Sequence, residues 1–146
     1  FDAAISLCQG AFGLAGGPAS DIAVSDPDSV ILDRIVAAVR PGGGVVLSAF
    51  SAYFQVRFLG EDDDFDAGAG VNREHTVLRD VDGVELASKL WTTCFTPREL
   101  RLLAARAGLI VDEIRSVTPG DYTRRPPDLD HPEFLLVGRR AGATES

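Results

Sequence analysis

The sequence of 146 residues contains no methionine and has only two cysteines. Because an intact translated chain begins with methionine unless it is processed, we expect that a natural N-terminal part is missing. Cys8 and Cys94 lie far apart and form no C-x-x-C pair. This argues against a zinc site and against a disulfide scaffold, so we expect two reduced, buried thiols.

Long apolar runs and basic clusters are absent as well. No run approaches the roughly 18–20 apolar residues that span a bilayer, and the N-terminus lacks the pattern of a signal peptide. The net charge is −8, with acidic residues concentrated at 61–66, and no basic stripe suited to nucleic acid is visible. We therefore expect a single cytoplasmic domain that has neither a nucleic-acid nor a membrane partner.

The first third of the chain has a strand–helix–strand pattern. Residues 2–7 are small and apolar without alternation, which is typical of a strand buried on both faces of a parallel sheet. Asp26 is a good N-cap before Pro27, and a stripe of apolar residues at helical spacing follows. Glycines then end the helix, and residues 45–50 form a second buried strand.

This βαβ unit predicts the position of a site. The two strands of such a unit are parallel, and ligands of open parallel sheets bind beyond the carboxyl ends of the strands. The site is therefore expected where residues 8–12 and 51–54 leave the sheet side by side.

A β-hairpin is predicted further along the chain. Asp82-Gly83 is a strong two-residue turn signal between strands at 74–81 and 84–95. With that turn, Val81 faces Val84 and Arg79 faces Leu86. One face of the hairpin then carries five apolar residues that can pack on another element: Val77, Val81, Val84, Leu86 and Leu90.

The flanking segments have simpler patterns. Residues 55–70 are acidic and glycine-rich, which predicts a loop. Thr96-Pro97-Arg98-Glu99 is a capping box that begins a helix, and strands are predicted at 109–117 and 132–140 with a turn-rich connection between them.

Four stretches of the sequence together resemble a known family. In order they are FDAAISLCQGAFGL, ILDRIVAAVRPGGGVVLSAF, FTPRELRLLAARAGLIVDEI and PEFLLVGRR. They are similar to the C-terminal half of a class I S-adenosylmethionine-dependent methyltransferase of the small-molecule type. The resemblance implies an α/β fold with a partial, three-layer Rossmann-like sheet, made of the family's strands 4 to 7 with the last strand antiparallel. It implies a domain at 1–140, an inserted β-hairpin at 72–95 and a flexible tail at 141–146.

The resemblance also implies an activity, the transfer of a methyl group from S-adenosylmethionine to a small-molecule acceptor. The family's loop after the fourth strand approaches the methionine end of the cofactor, and it corresponds here to Cys8, Gln9, Gly10 and Phe12. The family's own glycine-rich loop and ribose-binding acid are not matched, because they precede the fourth strand. This chain would then supply only half of the domain, and the missing half or another chain would be its partner at the open sheet edge.

Three aromatic residues are candidates for contact with the acceptor: Tyr53, Phe54 and Trp91. An aromatic face near a sulfonium attracts it through cation–π interaction, and Phe12, Tyr53 and Phe54 are placed for this, although Phe12 and Phe54 can equally be core residues. Trp91 can cap the acceptor pocket, but packing of the hairpin on the sheet is the favoured interpretation. His75 and His131 are read as surface or hydrogen-bonded histidines, the acidic run lacks the spacing of a calcium loop, and no catalytic residue or metal site is predicted.

Two other classes of function stay open. The chain can be a non-catalytic fragment or interaction module, because its first strand would lie at an unpaired sheet edge that invites association. A nicotinamide-dependent oxidoreductase has a related sheet, but the antiparallel ending of this chain argues against it.

Overall fold

A computed structural model describes residues 1–7, 12–15 and 26–142. The candidate cofactor residues Cys8, Gln9 and Gly10 lie outside the described residues. The strands are β1 Ala3–Ser6, β2 Gly44–Ser51, β3 Asp63–Asp66, β4 Val71–Arg79, β5 Glu85–Phe95, β6 Leu109–Val117 and β7 Glu133–Arg140. The helices are α1 Pro27–Ala38, α2 Ala52–Arg57 and α3 Pro97–Arg106. Among the helices of the described residues, none has the length and apolar character needed to cross a membrane.

The seven strands form one mixed sheet around β2. The order is β3-β4-β5-β2-β7-β6, and β1 pairs with β2. β1 runs parallel to β2, with Ser6 opposite Leu47, and β7 runs antiparallel along the other edge of β2. β6 is antiparallel to β7. The predicted α/β fold, a partial Rossmann-like sheet with an antiparallel last strand, is confirmed.

Local signals set the ends of the helices. The side chain of Asp26 accepts a hydrogen bond from the Ser29 amide at 2.9 Å, with Pro27 at the start of α1. At α3, Thr96 and Glu99 form both bonds of a capping box, and Gly108 follows the helix with a φ of +81°. Each device supplies partners to backbone groups that a helix end leaves unpaired.

The core lies between the sheet and the two longer helices. α1 contributes Leu32 and Val36, α3 contributes Leu100 and Ala104, and these residues share one cluster with the alternate β2 residues Val45, Leu47 and Ala49. All seven are at most 3% exposed. Side chains on one face of each helix and on one face of the strand, spaced by the helical and strand repeats of 3.6 and 2 residues, therefore pack in the same apolar layer.

The predicted register of the hairpin is wrong by one residue. Leu78, not Arg79, lies opposite Leu86, and the loop contains three residues, closed by a hydrogen bond from the Asp80 amide to the Val84 carbonyl at 3.1 Å. The Asp80 carboxylate accepts bonds from the amides of Asp82 and Val84. Aspartate bonding to the backbone that follows it stabilises this longer turn.

The shift divides the apolar residues of the hairpin between its two faces. Leu78 and Leu86 now share one face, whereas Val77 lies opposite Ala87 on the other. Val77, Val81, Val84 and Leu86 are each more than half exposed. The expectation that one apolar face of the hairpin packs on another element is therefore not met by the described residues.

The loop predicted at 55–70 contains regular structure. α2 extends to Arg57, and β3 pairs with the start of β4, with Asp66 opposite Val71. Asp63 accepts hydrogen bonds from the Gly60 amide at 2.7 Å and from the Asn72 side chain at 2.6 Å. An acidic residue that suggested a solvated loop instead holds this segment against the hairpin.

Candidate functional site

The carboxyl ends of three strands meet at one rim of the sheet. β2 runs parallel to β1, and at its last two residues it also pairs in parallel with β5, where Phe50 lies opposite Cys94. A Cβ placed on Gly13, just beyond β1, would lie 3.7 Å from the Phe50 ring. The structure thus brings Gly13 beside the end of β2. Residues 8–11 lie outside the described residues, so the predicted site between 8–12 and 51–54 stays a prediction.

The backbone of Gly13 makes two hydrogen bonds that hold it at this rim. Its amide donates to Oδ1 of Asp28 at 2.7 Å, and its carbonyl accepts from the Thr93 amide at 2.7 Å. Its φ of +89° is a conformation that favours glycine. Gly13 is therefore tied both to the first turn of α1 and to β5.

Phe12 is fully buried, with 0% exposure. Its ring stacks on Phe95 with the centroids 4.7 Å apart, and both rings belong to the core cluster. A role of Phe12 in cofactor binding stays a prediction. Its burial favours a role in anchoring the loop over direct contact with a ligand.

Asp28 is a functional candidate that sequence reasoning missed. The residue is 0% exposed, and among the described residues its second oxygen, Oδ2, has no hydrogen-bond partner. Burial raises the pKa of the Asp28 carboxyl above its usual range, against the hydrogen bond from the Gly13 amide, which lowers it. The sequence marks Asp28 only as an acidic residue in the first turn of a helix, which does not indicate a function.

The three aromatic candidates lie in different surroundings. Tyr53, on α2, is 41% exposed and lines a cavity of about 620 Å³. Phe54 packs on Phe58, with ring centroids 4.6 Å apart, and Trp91 lies on β5 opposite Arg73. Neither Phe54 nor Trp91 is among the residues lining this cavity, so the structure does not bring the three rings together there.

Three segments form most of the cavity, and Phe65 of β3 and Leu129 complete its lining. One wall is α2, a second is the turn at 67–70, and a third is formed by Cys94 together with the start of α3. Burial raises the pKa of the Cys94 thiol to about 12. The thiol is therefore neutral near pH 7 and acts as a small apolar group rather than a nucleophile.

The histidines do not form a catalytic or metal cluster with these residues. Nδ1 of His131 lies 2.8 Å from Oδ2 of Asp128, and His75 is exposed on β4 opposite Lys89. Within the part of the chain that the structure describes, no group of three or more histidine, cysteine, aspartate or glutamate side chains is placed to hold a metal ion.

Several solved structures share this fold. The CcbJ methyltransferase from Streptomyces caelestis matches with a TM-score of 0.69 at 20% identity, over 97% of this chain and 58% of its own. A S-adenosylmethionine-dependent methyltransferase from Clostridium acetobutylicum matches with a TM-score of 0.65 at 12% identity, over 97% and 59%. The glycopeptide N-methyltransferase MtfA, in complex with S-adenosylmethionine, matches with a TM-score of 0.51 at 13% identity, over 97% and 55%.

At these identities the likeness is one of fold. The chain has the fold of class I S-adenosylmethionine-dependent methyltransferases, and it spans less than two thirds of the length of these structures. No protein-family profile matches the sequence, and a comparison with proteins of curated function found no match.

Proposed function

We propose that the protein transfers a methyl group from S-adenosylmethionine to a small-molecule acceptor, and that residues 1–140 form the C-terminal part of the methyltransferase domain. One observation carries the proposal. The parallel strands β1 and β2 end at the same rim, where Gly13 returns beside Phe50. Open α/β sheets bind ligands at such a rim.

The loop after β1 is proposed to hold the methionine end of the cofactor. When bound, S-adenosylmethionine supplies an electrophilic methyl group on a sulfonium. Cys8, Gln9 and Gly10 are the proposed contacts, since a glycine lets a ligand approach the backbone closely. Phe12, whose ring stacks on Phe95, is proposed to anchor the end of this loop in the core.

Among the described residues, Gly13 supports this role because its hydrogen bonds hold the chain that follows the proposed cofactor contacts. A loop that positions a reacting group must itself be held, because displacements of about 1 Å are costly in transfer reactions. The two hydrogen bonds of Gly13, to Asp28 and from Thr93, supply such a constraint. The chain's part in the reaction is therefore to orient the reactants and to exclude water.

The acceptor is proposed to contact the aromatic candidates Tyr53, Phe54 and Trp91. Tyr53 has the strongest support, because its ring lines the cavity and is partly exposed. Phe54 and Trp91 do not line this cavity, so a contact from either ring requires an acceptor that extends beyond it.

Calorimetry tests the proposal. S-adenosylmethionine and its demethylated product are titrated into the protein as the cell makes it, with whatever segments flank these 146 residues. We expect a heat of binding for both ligands and a loss of affinity in the variant Gly10→Val. Gly142→Val is the matched control, because a Cβ on Gly142 meets nothing within 4 Å. Absence of binding in the parent protein would refute the proposal.

A second function, a non-catalytic interaction module, is favoured by the free edge of β1. Among the described residues β1 pairs only with β2, and Phe1 and Ile5 beside that edge are 88% and 72% exposed. Unpaired apolar strands associate with other chains, so we expect the isolated 146-residue chain to self-associate. A sedimentation coefficient of a monomer that stays constant with concentration would contradict this.

A further inference from the structure

Resting on the methyl transfer proposed above, we propose that the cavity beside Tyr53 is the acceptor site and that it takes a largely apolar small molecule carrying an amine. The cavity measures about 620 Å³, within the range of small-molecule sites, roughly 300–1,000 Å³. Its walls are α2, the turn at 67–70 and the start of α3.

The position of the cavity suits an acceptor site. Cys94 lines it, and the residues on either side of Cys94 contact the loop after β1. Thr93 donates a hydrogen bond to Gly13, and Phe95 stacks on Phe12. The cavity and the candidate cofactor loop therefore contact the same three-residue segment of β5.

The lining of the cavity favours an apolar molecule. The turn at 67–70 contains only alanine and glycine, and its small side chains leave the space open. Tyr53 and Val56 add apolar surface from α2, and the neutral thiol of Cys94 adds more. A ring system that displaces water from these walls gains the free energy of apolar burial.

The charges around the cavity favour a cation. Two charged side chains line it, Arg57 and Glu99. Arg57 is already paired with Asp130, with 3.0 Å between Nη1 and Oδ1, and it lies over the Phe58 ring. Glu99 is held in place by its capping bond from the Thr96 amide, through Oε2.

The acidic residues of β3 lie beside the cavity but do not line it. Asp64 is paired with Arg73 at 2.8 Å, and Asp63 accepts hydrogen bonds from the Gly60 amide and the Asn72 side chain. The preference for a cation therefore depends on the carboxylate of Glu99, which lines the cavity. An amine binds beside Glu99 as its ammonium ion and releases that proton to solvent before its nitrogen lone pair attacks the methyl group, whereas a carboxylate or phosphate meets a like charge there.

The test uses two probes that share one ring system and differ in charge. 2-Naphthylmethylamine and 2-naphthylacetic acid are titrated into the 146-residue chain, and binding is followed by naphthalene fluorescence. We expect the amine to bind at least ten-fold more tightly than the acid. Equal binding of the two probes would overturn the proposed ligand class, and absence of binding by both would overturn the site.

Substitutions locate the site and test the charge argument. Ala52→Phe and Ala69→Trp enter the cavity from opposite walls and should each abolish binding of the amine, whereas Ala87→Trp, on the exposed hairpin, should not. Glu99→Gln preserves the capping box, which accepts glutamine at this position, and should reduce the preference for the amine. Binding that survives both cavity variants would overturn the location. These outcomes do not depend on S-adenosylmethionine, so they are separate from a failure of the calorimetric test.

Discussion

The buried carboxylate of Asp28 should hold Gly13 in place by accepting a hydrogen bond from its amide. Its Oδ1 accepts the Gly13 amide at 2.7 Å, and the whole residue is shielded from solvent. Asp28→Ala removes the acceptor and leaves a buried N–H without a partner. Asp28→Asn keeps an oxygen in the position of Oδ1, removes the charge and places an NH2 group where Oδ2 stands.

The expected magnitude follows from this comparison of two uncharged variants. A buried donor without an acceptor costs about 1–3 kcal/mol. We therefore expect the free energy of unfolding of Asp28→Ala to lie about 1–3 kcal/mol below that of Asp28→Asn, measured by urea denaturation. Hydrogen exchange at Gly13 should be faster in Asp28→Ala than in Asp28→Asn.

The charge of Asp28 adds a pH dependence. Burial raises the pKa of Asp28 in the folded state above its unfolded value, so the folded state holds the proton to a higher pH than the unfolded state does. Stability from this group is then greatest below the ordinary aspartate value, about 4, and falls as pH rises through the raised pKa. Relative to Asp28→Asn, the parent chain should gain stability as pH falls from 7 toward 4.

Two results would refute this reasoning. If Asp28→Ala and Asp28→Asn unfold at the same urea concentration, then the hydrogen bond to Gly13 contributes nothing measurable. If the difference between the parent chain and Asp28→Asn is constant with pH, then burial does not perturb the carboxyl.

Three further substitutions test the packing and the helix caps, each by urea denaturation of the 146-residue chain. Phe12→Ala should cost about 3–5 kcal/mol, because the ring is fully buried in the core; a cost below 1 kcal/mol would show that the ring is not packed there. Thr96→Ala should cost about 1 kcal/mol through loss of the capping box, and an unchanged unfolding midpoint would contradict it. Gly138→Ala should cost about 1–3 kcal/mol, because its Cβ would lie 2.7 Å from the Ile110 carbonyl oxygen. Gly142→Ala, with open space around it, should be neutral, and equal effects of the two alanines would exclude the steric explanation.

The sheet could be predicted largely because its determinants are local. The small apolar residues of β1 and the glycine-bounded run of β2 indicate parallel strands, and the structure pairs them in parallel. The expected burial of the first strand on both faces is wrong, because residues of β1 alternate between exposed and half-buried and Ile5 is 72% exposed. The Thr96–Glu99 capping box begins α3 at the predicted residue. Each of these signals acts within a few residues of the chain, so no tertiary information was needed to read it.

The register of the hairpin could not be read from the turn residues alone. Asp82-Gly83 suits a two-residue loop, but Gly83 with a φ of +79° also fits the last position of a three-residue loop. The carboxylate of Asp80 decides between them by bonding two amides of the longer loop. Because strand side chains alternate, this one-residue difference divides Val77 and Leu86 between opposite faces.

The candidate site depends on contacts that the sequence does not display. Asp28 meets Gly13 across 15 residues, and the pattern around Asp28 is that of any helix start. The cavity gathers α2, the 67–70 turn and Glu99 from positions up to 47 residues apart. α2 and the 67–70 turn both lie in the stretch 52–70, and the sequence predicts an acidic loop over most of this stretch. Because proteins that share one sheet differ in their ligands, we propose that segments outside the sheet select the acceptor, and here these are the segments with the weakest sequence pattern.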